Sequence, residues 1–496
     1  MKNVLENIKN LDNDAPIGCS RVIPFKKSVV VITAVMLAIL LYAIILGQKD
    51  FLGVFFQVTV FSILASALSG RMRNSVLPCS IILAFGVLIQ LTLGMSPLKL
   101  QLDILLASVT AAVAAAIYKT NVIKLNKRIG VIIMVAAILG LTALAMISGG
   151  IGGASNWILI GGISIQATEL TKLIYIICLC TVTEHNKATE LKSFIASCIL
   201  TLGMAGIYIL QNEFGTLLLI LIVFMSVIFL SYSTKYTLYS LAASLLLAFV
   251  GIGIAWIIHS SGIRNGIFGI ISSAYEKISD RIVYWLNPEQ DIYNKGYQYI
   301  QRKQIIMTTG LFGTETTTTV GIKESDLVLT AVMERFGVIL SVMLMFLYTF
   351  SFWQQITAAH KVFDGYHKKI IAAMSVSIAA QVIVIAAYTG GAMPITGLCL
   401  PFIGRGGTVM MTVFMMYGIM SAAAHKNIWD SGHGDAGIWN DTSDTASRNK
   451  RKSTAKAASI KCASLLSKSK KRKISKTENI ELNDNTKEDG QNEGEN

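Results

Sequence analysis

Several charged residues stand inside or at the ends of apolar stretches, where a charge is costly and usually serves a function. They are Asp103, Glu169, Lys172, Glu213, Asp326, Glu334, Arg335 and Arg405. Glu169 and Lys172 are three residues apart, so on a helix they share a face and could either pair with each other or point into a common cavity. Asp326 is followed by apolar residues, and a carboxylate at a membrane–water boundary is well placed for general-base chemistry. The spacing alone favours a different role, in which Ser325-Asp326 caps the helix that begins there.

The composition decides which kind of elements must position these residues. The chain has 496 residues, of which 53% are hydrophobic and 15% are charged, whereas soluble domains carry about 25% charged residues. Stretches such as 29–47 and 236–259 are apolar for longer than the roughly 18 residues that cross a membrane. The apolar runs are solid rather than alternating, which favours helices over a β-barrel. The predicted fold class is an all-α polytopic membrane protein, and a soluble enzyme is excluded.

Hydropathy predicts twelve membrane-spanning helices. They lie near residues 29–47, 51–69, 75–95, 102–118, 129–148, 168–184, 193–210, 214–232, 236–259, 327–352, 369–389 and 404–424. Lys and Arg residues gather on every second connection, which is the distribution expected of cytoplasmic loops. This alternation predicts that both termini are cytoplasmic.

Three connections then fall on the outer side of the membrane, at 149–167, 260–325 and 390–403. The 66-residue loop 260–325 is too long for a simple connector, and loops of that length usually bind or catalyse. Its amphipathic stretch 278–290 could lie along the membrane surface.

The net charge of +14 is accounted for by the basic loops and the basic tail, so no nucleic-acid partner is needed to explain it. The sequence has neither a P-loop nor a GxGxxG motif after a strand, which argues against a nucleotide cofactor. Residues 426–496 are rich in Ser, Thr, Asn, Lys and Asp and are predicted to form a disordered cytoplasmic tail. Their basic block, 448–476, could bind anionic lipids of the inner leaflet or serve only as a solubilising tail.

Four motifs occur in order along the chain. GGASNWILIGGISIQATELTKL (152–173) resembles the pattern GGxxRWIxLGxxxxQPSExxKL, and NEFGT (212–216) is similar to PDLGT. RIVYWLNPEQDIYNKGYQYIQRKQIIMTTGLFG (281–313) resembles RxxxFLNPxxDPxxxGYQxxQSxxAxxxGGLFG, and PITGLCLPFIGRGG (394–407) resembles PVTGxxLPFxSYGG. These patterns are those of the SEDS proteins, the polytopic cell-wall polymerases that include RodA, FtsW and SpoVE. By this resemblance the chain is identified as a member of that family with two additional N-terminal helices.

The resemblance implies a domain organisation and a function. A ten-helix core over 75–425 would follow a cytoplasmic N-terminus, 1–28, and an additional helix pair, 29–74. The implied activity is that of a peptidoglycan glycosyltransferase that polymerises lipid II at the outer face of the bacterial cytoplasmic membrane, for elongation, division or sporulation. The implied partners are lipid II, a class B penicillin-binding protein and membrane lipids, and the implied cofactor is a divalent cation, Mg or Mn.

The resemblance also assigns residues. GIKESDLVLTAVMERFG (321–337) occupies the place of the family's PExHTDFIFAxxxEELG, so Asp326 corresponds to the catalytic aspartate, and this role takes precedence over the cap. In the family mechanism that carboxylate activates the acceptor hydroxyl for attack on the anomeric carbon of the donor, whose pyrophosphate-lipid leaves. Positive charge near the pyrophosphate could come from the cation or from Lys172, Arg302, Lys303 and Arg405. The expected substrate-binding residues are Trp157, Glu169, Lys172, Gln298, Gln301, Lys303, Glu334 and Arg405, and no metal ligand is assigned.

The chain departs from the family patterns at several positions. Asn156 replaces the Arg of the RWI motif, Asn212-Glu213 replace Pro-Asp, and Gly404-Arg405 replace Ser-Tyr. These departures predict a divergent member with altered substrate or partner preference. Two alternatives stay open: a transporter of lipid-linked cell-wall precursors, suggested by the many spans and intramembrane charges, and a non-catalytic assembly factor of a cell-wall complex.

Overall fold

The structure is a computed structural model that describes residues 23–45, 47, 51–120, 127–148, 156–160, 163–262, 265–314 and 326–432. Within them the protein is built of helices and one β-hairpin. The helices are α1 (Phe25–Ile45), α2 (Phe51–Leu68), α3 (Arg73–Thr92), α4 (Pro97–Lys119), α5 (Lys127–Ile147), α6 (Ala167–Val182), α7 (Glu190–Leu210), α8 (Phe214–Ser231), α9 (Thr234–Ser260), α10 (Gly266–Leu286), α11 (Tyr297–Thr308), α12 (Val328–His360), α13 (Gly365–Thr389) and α14 (Gly407–Gly432).

The prediction of an all-α polytopic membrane protein is confirmed. Each of the twelve predicted spans coincides with a helix, and eleven helices of the described residues are long and apolar enough to cross a membrane. The twelfth, α6, has 16 residues and a length of about 24 Å. It is buried along most of its length, so other helices of the bundle surround it. The predicted disordered tail lies outside the described residues from 433 onwards, as does most of the N-terminal segment 1–28.

The helices divide into central and peripheral ones according to how many of their faces are buried. In α1 the buried residues recur every three or four positions, at Ser28, Ile32, Met36, Ile39 and Ala43, so one stripe faces the bundle and the rest faces lipid. In α3 and α13, by contrast, 78% and 72% of the span is buried. These two helices form the centre of the bundle, and α12 packs against both of them.

The loop expected at 260–325 contains two helices, α10 and α11, joined by a 3-10 turn at Pro288–Asp291. The amphipathic stretch 278–290 forms the end of α10 and the start of this turn. The loop expected at 149–167 contains a β-hairpin, in which β1 (Trp157–Ile160) pairs antiparallel with β2 (Ile163–Gln166). Residues 149–155 and 315–325 lie outside the described residues.

The connection 390–406, which we call the re-entrant segment, folds back into the bundle instead of running over its surface. Its backbone has no regular structure, yet Leu400, Phe402 and Ile403 are buried. A Cβ atom built at Gly86 of α3 would lie 2.3 Å from the carbonyl oxygen of Phe402, so only glycine allows the segment to approach this closely.

Side chains of three helices satisfy the carbonyl groups of the re-entrant segment. Gln90 of α3 donates to Ile403 O over 2.6 Å, and Gln381 of α13 donates to Cys399 O over 2.7 Å. Tyr348 of α12 donates to Pro401 O. Irregular backbone is tolerated at membrane depth only where protein groups replace the missing hydrogen bonds, and here these side chains supply them.

Candidate active site

The first component of the site is a buried ion pair at the start of α6. Lys172 Nζ lies 2.7 Å from Glu169 Oε2, and both side chains are about 2% exposed. The same ammonium group donates to Gln381 Oε1 over 3.1 Å, and Gln381 in turn holds the carbonyl of Cys399. Of the two arrangements that the spacing allowed, the structure therefore has the direct pair between Glu169 and Lys172. Through Gln381, this pair is linked to the re-entrant segment.

Asp326 stands in the turn immediately before α12. The N-cap of this helix is Leu327, so the expectation that Asp326 caps the helix is wrong, and Ser325 lies outside the described residues. The backbone carbonyl of Asp326 accepts a hydrogen bond from Tyr388 Oη over 2.6 Å, and the same hydroxyl lies 2.9 Å from Leu398 O. One tyrosine thus joins the turn that carries Asp326 to the re-entrant segment.

The carboxylate of Asp326 also faces this segment. A Cβ atom built at Gly397 would lie 3.5 Å from Asp326 Oδ2. The φ angle of Gly397 is +77°, a conformation that favours glycine. The glycine of the PITG motif therefore leaves the space beside the carboxylate uncrowded.

Glu213 is a third acidic residue at this end of the bundle. It precedes α8, next to Asn212, whose φ angle is +59°. Asn156 Nδ2 donates to Glu213 Oε1 over 2.6 Å. Because the motif comparison assigned no role to Glu213, it is absent from the expected substrate-binding residues. Its position at the end of an apolar stretch had placed it among the charged candidates, but without a role.

The surroundings of Glu213 perturb its ionisation. Burial is the largest effect and raises the pKa of the Glu213 carboxyl to about 7. The positive charges of Lys277 and Arg281 on α10 oppose this shift, whereas the negative charges of Glu169 and Asp326 add to it. Glu169 and Asp326 therefore both lie within electrostatic reach of Glu213, although the three residues come from separate parts of the chain.

Hydrogen bonds attach the helices of the segment 260–314 to this end of the bundle and to each other. Trp285 Nε1 of α10 donates to Gly391 O over 2.9 Å, and Arg302 of α11 donates to Tyr388 O. Tyr299 Oη donates to Arg281 O over 3.2 Å. Arg302 was one of the possible sources of positive charge for a pyrophosphate, and the structure uses its guanidinium to hold a main-chain carbonyl.

The other predicted substrate-binding residues are more widely distributed. Gln298 and Gln301 are half-buried on α11, and Lys303 is exposed on the same helix. Trp157 is half-buried on β1, where it pairs with Gln166. The contact of these four residues with substrate stays a prediction.

Glu334 and Arg405 also lie at the edges of the arrangement. Glu334 is buried two turns into α12, and its carbonyl accepts from Thr314 N over 2.8 Å. Arg405 is exposed and has Asp103 of α4 as an electrostatic neighbour. Among the predicted site residues, the structure brings together Glu169, Lys172 and Asp326.

The described residues contain no group of three or more His, Cys, Asp or Glu side chains arranged to hold a metal ion. Mg²⁺ does not require such a group, because it commonly binds through one or two carboxylates together with substrate phosphates and water. The acidic residues near Asp326 fit that mode of binding.

Comparisons with known proteins bear on the chain as a whole. The model of the cell cycle protein family FtsW/RodA/SpoVE matches residues 81–428. The peptidoglycan glycosyltransferase RodA of Mycobacterium tuberculosis is 23% identical over 294 residues, which cover 55% of this chain and 58% of the relative. The stage V sporulation protein E of Bacillus subtilis is 25% identical over 284 residues, covering 54% of this chain and 70% of the relative.

The fold is similar to that of a solved structure. It is described as "Structural coordination of polymerization and crosslinking by a peptidoglycan synthase complex", and the match covers 71% of this chain and 96% of that chain. The TM-score is 0.55 at 20% sequence identity. The alignment with the M. tuberculosis relative spans only 58% of that relative's length.

Proposed function

Since the chain belongs to the FtsW/RodA/SpoVE family of cell cycle proteins and is a multi-pass protein of the cytoplasmic membrane, we propose that it is a peptidoglycan glycosyltransferase that polymerises lipid II. The observation that carries the proposal is the position of Asp326. Its carboxylate faces the re-entrant segment beside Gly397, and its main chain is held there by Tyr388.

In the proposed reaction Asp326 is the general base. It accepts the proton of the acceptor sugar hydroxyl while the hydroxyl oxygen forms a bond to the anomeric carbon of the donor. The bond between that carbon and the pyrophosphate oxygen breaks, and the lipid pyrophosphate leaves with the electron pair. Tyr388 holds the turn that carries Asp326, so the carboxylate keeps one position relative to the acceptor hydroxyl.

Charge balance near the leaving group is the second requirement of this reaction. The ammonium of Lys172 is buried and already paired with Glu169, so it supplies little net positive charge. We therefore propose that a divalent cation would bind together with the substrate phosphates, with Asp326 and Glu213 as the carboxylates that could hold it. Such a cation would neutralise charge on the departing pyrophosphate.

The proposal places this end of the bundle on the outer face of the membrane and both termini in the cytoplasm. Basic connections at the opposite helix ends support this orientation, including Lys119 at the end of α4 and Lys187 and Lys192 near the start of α7. The natural partner of a glycan polymerase is an enzyme that cross-links the new strands, and we propose a class B penicillin-binding protein in this role.

The test is lipid II polymerisation by the full-length protein together with its transpeptidase partner. The Asp326→Asn variant is expected to lose activity by about 100-fold or more, as general bases contribute about 10²–10⁴-fold. Asp280→Asn, on α10, is the matched control. Asp280 pairs with Lys295 on the surface, at 2.6 Å, and its replacement should leave polymerisation unchanged.

The same variant separates the two alternatives. If Asp326→Asn polymerises lipid II as fast as the natural protein, the mechanism is wrong. Movement of lipid II across sealed vesicles without polymer growth would favour a transporter. Normal growth of Asp326→Asn cells under conditions in which deletion cells fail to grow would favour an assembly factor.

A further inference from the structure

A cavity of about 530 Å³ lies between α2, α3, α4 and α14, away from Asp326 and the ion pair. Its volume is typical of ligand pockets, which span about 300–1,000 Å³. Small side chains make the space, among them Ala65 on α2, Ala112 and Ala115 on α4, and Ser421 on α14. Gly418 of α14 approaches α4 so closely that a Cβ atom there would lie 2.5 Å from Ala111 O. The two helices thus touch at Gly418, with the cavity beside the contact.

The two ends of the cavity differ in chemistry. Lys119, the last residue of α4, and His425 of α14 line one end, where α2 also terminates at Leu68. His425 Nε2 lies 2.8 Å from Leu68 O and donates to it. At the other end lie Leu83 and Phe402. Among the described residues that line the cavity there is no Asp or Glu, so its polar end is positive and its remaining length is mostly apolar.

The polar end lies on the face that carries the basic connections and that we propose to be cytoplasmic. A hydrocarbon chain gains little by leaving the bilayer for an equally apolar cavity, because lipid tails are as apolar as the side chains that replace them. Any preference of the cavity for one kind of lipid must therefore come from the lipid headgroup. A lysine at the rim attracts an anionic headgroup, and none of the described lining residues is a carboxylate that would oppose this attraction.

We propose that this cavity binds one anionic glycerophospholipid of the cytoplasmic leaflet, with an acyl chain between α2, α4 and α14 and its phosphate at Lys119. The chain would extend toward Phe402, a residue of the re-entrant segment. Phe402 has a φ angle of +67°, and its ring packs on Phe414 and Tyr417. A lipid bound in the cavity would pack beside this aromatic cluster and would support the re-entrant segment from the side opposite the substrate.

The cavity also gives the additional N-terminal helices a specific role. The family match begins at residue 81, after α1 and α2. Phe61, Ala65 and Leu68 of α2 form one wall of the cavity, and α4 and α14 from the family-matched region form the others. Without α2 the site would lie open to the bilayer on that side. The proposal therefore concerns a binding site that this chain builds with its own additional helices.

The test uses the full-length protein in lipid nanodiscs and a phosphatidylglycerol probe with a photoreactive diazirine in one acyl chain. The same diazirine chain on phosphatidylcholine is the control probe. We expect phosphatidylglycerol to label peptides of α2, α4 and α14, and unlabelled phosphatidylglycerol to compete with it. Lys119→Gln should lower the preference for the anionic probe by about fivefold, the effect of roughly one lysine near an anionic surface.

Two tryptophan substitutions on α4 complete the design. Ala112→Trp fills the cavity and should abolish the selective labelling, whereas Val113→Trp places the same side chain at a position that does not line the cavity and is 52% exposed. Val113→Trp should leave the labelling unchanged. If Ala112→Trp fails to fold, the exposed Lys119→Gln variant alone decides the question.

Equal labelling by the two probes, or labelling that Ala112→Trp does not reduce, would overturn the proposal and leave only unselective surface lipid. Displacement of the phosphatidylglycerol probe by a polyprenyl phosphate at lower concentration than by phosphatidylglycerol would overturn the assignment to a glycerophospholipid.

Discussion

The side-chain amide of Asn156 donates a hydrogen bond to the Glu213 carboxylate across 2.6 Å. Both residues are departures from the SEDS patterns, in which an arginine and an aspartate stand at these positions. The two departures are therefore in contact. A neutral amide here takes the place of a guanidinium, so no positive charge from this position offsets the effect of burial on Glu213, whose pKa is raised to about 7.

Glu213→Gln should change how stability depends on pH. The carboxyl pKa rises from 4.5 to about 7 on folding, so the folded protein binds this proton more tightly than the unfolded chain. The associated stabilisation is complete below about pH 4.5 and is lost as pH rises through about 7, a change of about 3 kcal/mol. Glutamine keeps the acceptor for Asn156 and cannot ionise.

The measurement is the thermal unfolding midpoint in detergent from pH 5 to pH 8. We expect the natural protein to lose stability relative to Glu213→Gln as pH rises, with the variant more stable at pH 8. Glu276→Gln, an exposed position on α10, is the control and should follow the natural protein. Parallel curves for Glu213→Gln and the natural protein would contradict the assignment of the pKa.

Lys172→Met should destabilise the protein strongly. It leaves the buried carboxylate of Glu169 without its cation, and breaking a buried pair in this way costs about 3–5 kcal/mol. The double variant Glu169→Gln/Lys172→Met should be more stable than Lys172→Met alone, because no unpaired charge remains. A double-mutant cycle on unfolding midpoints measures this coupling, with the exposed Lys187→Met as control. Additive effects of the two substitutions would rule out the coupling.

Tyr388→Phe should slow polymerisation without weakening substrate binding. The lost hydroxyl releases the turn at Asp326 from Leu398 of the re-entrant segment, and displacement of a catalytic group by about 1 Å can cost about 100-fold in rate. We expect kcat to fall by about 10-fold to 100-fold and KM to change little. Tyr175→Phe removes another buried hydroxyl, which contacts Thr201 at 2.8 Å, and serves as control. A rise in KM at constant kcat would show that Tyr388 does not position the base.

Gly337→Ala should disrupt the packing of the end of the segment 260–314 against α12. Gly337 has a φ angle of +86°, and a Cβ atom there would lie 2.2 Å from Leu311 O. We expect a loss of stability of about 1–3 kcal/mol or more together with lower activity. Gly251→Ala on α9 is the matched control, because nothing lies within 4 Å of its Cβ position. There alanine should be neutral or stabilise by up to about 1 kcal/mol.

The spans could be predicted from the sequence because a helix in lipid needs a long apolar run, and even the short α6 was found this way. The path of the re-entrant segment could not be predicted, since its carbonyl groups are satisfied by side chains far away in sequence. Gln90 and Ile403, for example, are 313 positions apart. Asp326 was assigned by motif, and that role stays a prediction, whereas the capping rule that competed with it gave the wrong local geometry. Glu213 was named among the charged candidates but received no role, because its importance depends on burial and on Asn156, and neither can be derived from spacing.

Side chains of α3, α12 and α13 bond the carbonyl groups of Leu398, Cys399, Pro401 and Ile403 in the re-entrant segment, and this distribution bears on how the protein can accommodate a substrate. A shift of any one of these helices would break a bond that holds the segment, so we expect the three to move as one body during turnover. Helix α9, by contrast, has no buried residue within its most apolar window and makes substantial contacts only with α8 and α10 among the described elements. We therefore expect α9 to shift more readily than the three helices that hold the re-entrant segment next to Asp326.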